Sequence, residues 1–340
     1  MRLFPTLAMT GMLLGTPVSA AGQAAAPAVA SPVAADGDVA GLFDIGDGRR
    51  LWLECRGDGG PTVLLEAGAG NNADVWDAVA LPPDSGQTAV LPGVAAFTRV
   101  CAYDRPGTLL DADHRSRSDP APMPRSAADD VADLHALLEA AEVPGPFVLV
   151  GHSYGGIVIR LYAATYPDEV AGLVLVDASH EEQSARFEDA LAPEQWAAFE
   201  ALQEQSLETI DDPDRERIDF DASFAQMRDA AADHPLPPLP LVVLTHAIPV
   251  GDELPPEAKA ALPADYPWDR FEAVWQDLQA ELAALTPDAR QVIATESGHY
   301  IQVQQPDLVI DAVHAVVDAA RDPGTWATPN PEDGVATPAP

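Results

Sequence analysis

The chain has almost no lysine. Lys259 is the only one among 340 residues, and 18 basic side chains stand against 54 acidic ones, giving a net charge of −36. Repulsion of that size sets the chain against nucleic-acid backbones and anionic membrane surfaces as partners. A solvated acidic surface of this kind keeps a secreted protein soluble. Cysteine is scarce as well: Cys55 and Cys101 stand alone, in LWLEC and TRVCAYD, and neither spacing suits a metal site. Long apolar runs are missing too, so no segment reaches the roughly 20 residues that a bilayer-spanning helix needs. Core material is plentiful. At 47% hydrophobic residues, the chain can bury one large or two ordinary domains.

The first twenty residues combine Arg2, an apolar run from Leu7 to Leu14 and Val18-Ser19-Ala20 in a small-x-small pattern. They predict a signal peptide, 1–20, cleaved after about Ala20 and implying an extracellular protein. Residues 21–40 and 323–340 are rich in Ala and Pro without periodicity, and read as a disordered linker and tail. In the oxidising compartment that export implies, Cys55 and Cys101, each on a strand-like segment, are expected to form one disulfide.

Between the ends, strands come first. Leu42–Ile45 and Arg50–Cys55 flank a Gly-Asp-Gly turn and predict a hairpin, and Thr62–Glu66 follows as a short strand. The chain then alternates. Strands are expected at Thr98–Tyr103, Phe147–Val150, Leu173–Val176, Leu241–Thr245 and Gln291–Thr295, and helices at Ser126–Ala141, Gly155–Thr165, Trp268–Leu285 and Pro306–Ala320. Such alternation builds a mostly parallel sheet with helices on both faces, an α/β fold. Residues 180–238 interrupt it, with Trp196, Phe199, Leu202 and Leu207 at helical spacings and no convincing strand. The pattern predicts a core in two parts, 41–179 and 239–322, with 180–238 as a helical cap over the crevice at the strand ends.

One pentapeptide carries chemistry. Gly151-His152-Ser153-Tyr154-Gly155 has the form GxSxG with a strand before it and a helix after it. Glycine at both outer positions admits a tight turn, so Ser153 can project from a strained corner as a nucleophile. The helix that follows points its N-terminus at the same spot, and the Tyr154 N–H is a ready oxyanion donor.

With these residues the chain resembles the α/β-hydrolase fold family over about residues 41–321. Tyr103-Asp104-Arg105-Pro106-Gly107 is similar to a stretch found in its secreted bacterial hydrolase branch. The resemblance implies hydrolysis of carboxylic esters or related acyl compounds without a cofactor, on a small-molecule acyl substrate. A serine at the elbow implies an acyl-enzyme, unlike the aspartate with which dehalogenases and epoxide hydrolases of the fold form an alkyl ester. It also implies a base near the C-terminus, an acid between nucleophile and base, and a second oxyanion donor after the third strand.

His299, in Glu296-Ser297-Gly298-His299-Tyr300 after the last strand, is the expected base. His152 is locked in the elbow, His180 and His234 bound the cap segment, and His114, His135, His246 and His314 lack a comparable position. Two carboxylates can serve as the acid. Asp177 ends the strand Leu173–Val176 and is preferred. Asp252 lies in the loop after Leu241–Thr245, where most relatives carry the acid, but later than the usual spacing. Glu296 ranks third. In Ala67-Gly68-Ala69-Gly70-Asn71 the chain departs from a common His-Gly pair; Ala69 N–H is the expected donor, with Gly70 as the alternative. Asp104 and Arg105 are expected to pin the neighbouring loop rather than to react.

Three functions follow: an extracellular serine esterase, a serine aminopeptidase or amidase in which Glu181 and Glu182 would bind an ammonium group, and a non-catalytic binding protein on the same fold.

Overall fold

The structure is a computed structural model and describes residues 37–81, 86–111, 114–208 and 212–326. The expected signal peptide, most of the linker and most of the C-terminal tail lie outside the described residues.

Eight strands form one sheet: β1 (Val39–Gly46), β2 (Arg49–Arg56), β3 (Thr62–Glu66), β4 (Val100–Tyr103), β5 (Phe147–His152), β6 (Val170–Val176), β7 (Leu241–His246) and β8 (Arg290–Ala294). Their order is β1-β2-β4-β3-β5-β6-β7-β8. β1 and β2 form the expected hairpin and β2 pairs antiparallel with β4; every later pairing is parallel. Alternation of side chains divides the core. Leu64, Leu149, Leu173, Leu175 and Val243 face one apolar cluster, while Val63, Leu65, Val148, Val150, Val174 and Val242 face the other. Both faces are covered, which is why β5, Phe-Val-Leu-Val-Gly-His, is buried along its whole length. Cys55 and Cys101 sit opposite each other on β2 and β4 and are joined in a disulfide.

Eleven helices appear among the described residues: α1 (Val90–Ala95), α2 (Ala127–Ala140), α3 (Gly155–Thr165), α4 (Gln183–Ala190), α5 (Pro193–Glu208), α6 (Phe220–Asp233), α7 (Val250–Glu253), α8 (Pro256–Ala261), α9 (Trp268–Leu282), α10 (Ile301–Gln304) and α11 (Pro306–Arg321). α2 starts at Ser126, whose backbone N–H and hydroxyl both reach Asp129 Oδ2 at 2.8 Å, ending its unpaired first turn in a side chain. None of the described helices is long and apolar enough to cross a membrane.

The segment 180–238 does not act as one unit. α6 joins the main core through Phe220, Phe224 and Met227, and its Ser223 hydroxyl accepts the Ala127 N–H at the start of α2. Phe187, Leu191, Trp196 and Phe199 of α4, α5 and their junction instead cluster with Val250, Leu254, Leu262, Tyr266, Phe271 and Trp275 from the β7–β8 connection. The rings of Phe187 and Phe271 stack at 4.3 Å. This apolar cluster is therefore built from two stretches of sequence, not one. At the C-terminus, Pro323–Thr325 form a 3-10 turn and Trp326 lies 4.0 Å over Arg290, so order extends into the expected tail. Likewise β1 begins at Val39, inside the expected linker.

Candidate active site

Ser153 stands between β5 and α3 with φ 51°, in the left-handed region that costs a non-glycine residue about 1–2 kcal/mol. The surrounding chain holds it there. Its N–H donates to Val176 O at 3.1 Å, and its carbonyl accepts from Gly156 N and Ser179 N at 2.9 Å each. The outer glycines are needed for close approach: a Cβ on Gly151 would lie 2.6 Å from Gly155 O, and one on Gly155 would lie 2.5 Å from Glu66 O. The elbow is thus wedged directly against the end of β3.

That contact positions the turn 67–70. Arg105, 2% exposed, donates through Nη1 to Ala67 O and through Nη2 to Gly68 O, both at 2.7 Å, and pairs with Glu66 and Glu216. Burial pushes the Glu66 carboxyl up to about 7, with Arg105 and the Tyr103 hydroxyl acting against the rise. Glu216 also takes the Gly70 N–H. The Gly70 N–H, the alternative donor expected in this turn, is thereby committed elsewhere. Asp104 pins the same region by accepting from Ala73 N at 3.0 Å and from Arg117 Nε and Nη2 at 2.7 Å. Behind the elbow, Tyr154 is fully buried, its hydroxyl donating to Asp130 at 2.9 Å and its ring under the Arg105 guanidinium at 5.5 Å.

His299 comes in from the loop after β8. Its N–H donates to Glu253 Oε2 at 3.1 Å, and its carbonyl accepts His152 Nε2 at 2.9 Å, which seats the histidine against the residue that precedes Ser153. Gln304 and Gln305 fasten the rest of the loop through Gly298 N and Ser297 Oγ. His152 itself is kept neutral: burial, with His299 close by, draws it down to about 3.

The carboxylate facing His299 is Asp177. Its Oδ2 lies 2.6 Å from His299 Nδ1, and its φ of 44° turns the chain sharply at the end of β6. Asp252 is not brought to the site; it is exposed on the short helix α7. Glu296 is exposed too. Asp177 Oδ1 accepts from Trp275 Nε1 at 3.0 Å and from His246 N at 3.2 Å, and Oδ2 also meets His246 Nδ1 at 2.8 Å. Burial alone would raise this carboxyl, but His246 and His299 outweigh it and hold it well below the usual carboxylate range.

His246 is the residue that the sequence reading passed over. It ends β7, the position at which the family resemblance places an acid, and that position was the available signal. Ligand atoms of Asp177, His246 and His299 lie within 4.8 Å of one another, close enough to consider a metal ion. The separations of 2.6 and 2.8 Å are those of hydrogen bonds, so the cluster reads as one that holds protons. Glu181 and Glu182, expected as possible ammonium ligands, are both engaged by arginine: Glu181 takes Arg160 at 2.7 and 3.0 Å in a buried two-point pair, and Glu182 lies 3.7 Å from Arg228.

A sequence profile of the Alpha/beta hydrolase family matches residues 63–312. The chain belongs to that family. Among curated proteins, this hydrolase is 27% identical over 318 residues to the "Probable transporter efuK" of Hormonema carpetanum, covering 82% of this chain but 42% of that protein, so it spans less than half the length of that relative. It is 26% identical over 265 residues to the uncharacterized protein YqjL of Bacillus subtilis, covering 78% of this chain and 87% of that one. Among solved structures, a thermophilic esterase from Thermogutta terrifontis superposes with a TM-score of 0.50 at 20% identity, covering 84% of this hydrolase and 99% of the esterase. At that identity the likeness is one of fold.

Proposed function

We propose that this hydrolase is an exported serine esterase that cleaves carboxylic esters of small molecules through an acyl-enzyme on Ser153. The observation that carries the reading is the 2.6 Å contact between Asp177 Oδ2 and His299 Nδ1, made beside an elbow that holds Ser153 at positive φ. In this reading His299 takes the Ser153 hydroxyl proton as the oxygen attacks the ester carbonyl, then returns it to the departing alkoxide. Asp177 fixes the ring and stabilises its charged form. The N–H groups of Ala69 and Tyr154 hold the oxyanion, the second at the N-terminus of α3. Water repeats the sequence on the acyl-enzyme and releases the acid. No cofactor enters any step.

Of the acidic residues named as examples for the amidase reading, Glu181 is taken by Arg160 in a buried pair, while Glu182 is partly exposed and lies 3.7 Å from Arg228. Export rests on residues 1–20 together with the Cys55–Cys101 disulfide. The test is labelling of the mature protein with a fluorophosphonate, peptide mapping, and hydrolysis of matched ester and amide series by wild type and Ser153→Ala. Label on Ser153, ester turnover and its loss in the variant are expected. An unlabelled protein with background rates would overturn the reading in favour of a binding protein, and faster amide than ester turnover would overturn the substrate class.

A further inference from the structure

Asp177 carries two imidazoles where a triad acid needs one. Its Oδ2 receives His299 Nδ1 at 2.6 Å and His246 Nδ1 at 2.8 Å, while His246 Nε2 lies 2.9 Å from Glu272 Oε2. Both ring nitrogens of His246 therefore face carboxylate oxygens, which only accept when ionised. A neutral imidazole has one N–H and one lone pair, so either tautomer would set a lone pair against an oxygen lone pair in a site where His246 is 1% exposed. The imidazolium satisfies both contacts. Glu272 is fixed for this pairing, because its other oxygen accepts Val250 N at 2.7 Å.

Among the described residues, the rest of the surroundings adds no competing charge at hydrogen-bond distance. From α9, Trp275 lies over the His246 ring at 6.2 Å and Gln276 donates to the His246 carbonyl at 2.9 Å. From β8, Ala294 pairs with the His246 backbone. The titratable groups facing His246 are Asp177, Glu272 and, across Asp177, His299. Around His299 stand Asp177, the neutral His152 at 4.7 Å between rings, Trp275, Tyr300 and the Glu253 carboxylate on its N–H.

We propose that His246 is a standing imidazolium and a positioning residue: clamped by Glu272, it fixes Asp177 in the orientation that meets His299. One carboxylate oxygen then receives two imidazoles, and the cation on it offsets part of the carboxylate's charge. The charged state agrees with the local fields: burial draws His246 down, but Asp177 and Glu272 outweigh it and hold its pKa up to about 10. The kinetic consequence rests on the esterase reading; the charge assignment does not.

Two measurements test it. The first is long-range proton–nitrogen NMR of histidine-labelled wild type from pH 5.5 to 8.5, with His246→Asn, or Glu272→Gln if that variant does not fold, to assign the ring. One imidazole with both nitrogens protonated across the whole range is expected. A His246 ring that titrates near pH 6.5, or is a single neutral tautomer at pH 7, overturns the proposal. The second is ester kcat and KM in wild type and His246→Asn, whose amide can still donate to Asp177 without charge. kcat is expected to fall about ten-fold or more with KM unchanged. A folded variant with wild-type kcat overturns the positioning role. Since the NMR needs no turnover, a protein that shows the imidazolium but hydrolyses no ester sinks the esterase reading alone.

Discussion

Glu216 and Arg105, 111 residues apart in sequence, meet in a buried ion pair with Nε 2.7 Å from Oε1. Glu216 lies between α5 and α6, and its second oxygen takes the Gly70 N–H. The insertion after β6 thus reaches down and ties off the turn 67–70. Glu216→Ala leaves Arg105 with one carboxylate instead of two. It should lower stability by about 3 kcal/mol in urea denaturation, and kcat at least ten-fold with little change in KM. Full turnover in a destabilised variant would show that the turn keeps its shape without Glu216.

Asp177→Asn should reduce kcat by about 10⁴, the scale seen when a triad acid is made neutral and the base takes the wrong tautomer. Asp252→Asn should leave kcat within about two-fold of wild type, since Asp252 is exposed on α7. Steady-state kinetics on one ester decides between them, and the reverse order would hand the acid's role to Asp252.

How much of this could be read in advance depends on what each residue needed to be recognised. β3 and α3 fall on the expected residues because β3 is an apolar run between Gly-Gly-Pro and a Gly-rich turn, and α3 begins where the glycine elbow ends. The meeting of Asp177 with His299 was expected from the elbow motif and from the order of acid and base along the chain. His246 was not, although parallel register sets Val176 beside Leu244 and so brings the residues that follow these strands together. Register between strands separated by a long insertion is a tertiary fact. Glu216 and Glu272 were hidden differently: among 54 acidic residues, nothing local marks the few that are buried in pairs. α1, Val-Leu-Pro-Gly-Val-Ala, was missed because Pro and Gly both argue against a helix that burial of Val90, Leu91 and Val94 nevertheless supports.

His246 also predicts how stability varies with pH. Its folded pKa is raised above the ordinary 6.5 or so, so its contribution is fully present below that pH and is lost as pH rises through about 10. Asp177, held low, acts in the opposite sense: its contribution is present above pH ~3.9 and is lost only on strong acidification. Thermal melts of wild type and His246→Asn from pH 5 to 10.5 should show a gap that narrows above pH 7 and closes towards 10. A constant gap would mean that His246 carries no extra proton in the folded state.

The disulfide closes a loop with a sequence separation of 46. In the chain-entropy account that is worth about 4 kcal/mol. Urea unfolding of the Cys55→Ser/Cys101→Ser double variant should lose about this much, and addition of reductant should bring wild type to the same midpoint. A loss under about 1 kcal/mol would mean that the unfolded chain is already compact around β2 and β4.

Neighbouring residues of α9 face two duties at once. Phe271 stacks into the aromatic cluster shared with α4 and α5, while Glu272 grips His246 and Trp275 donates to Asp177. Replacing that cluster as a block would therefore carry off part of the scaffolding of Asp177. Single substitutions on the α4 and α5 side would leave it in place.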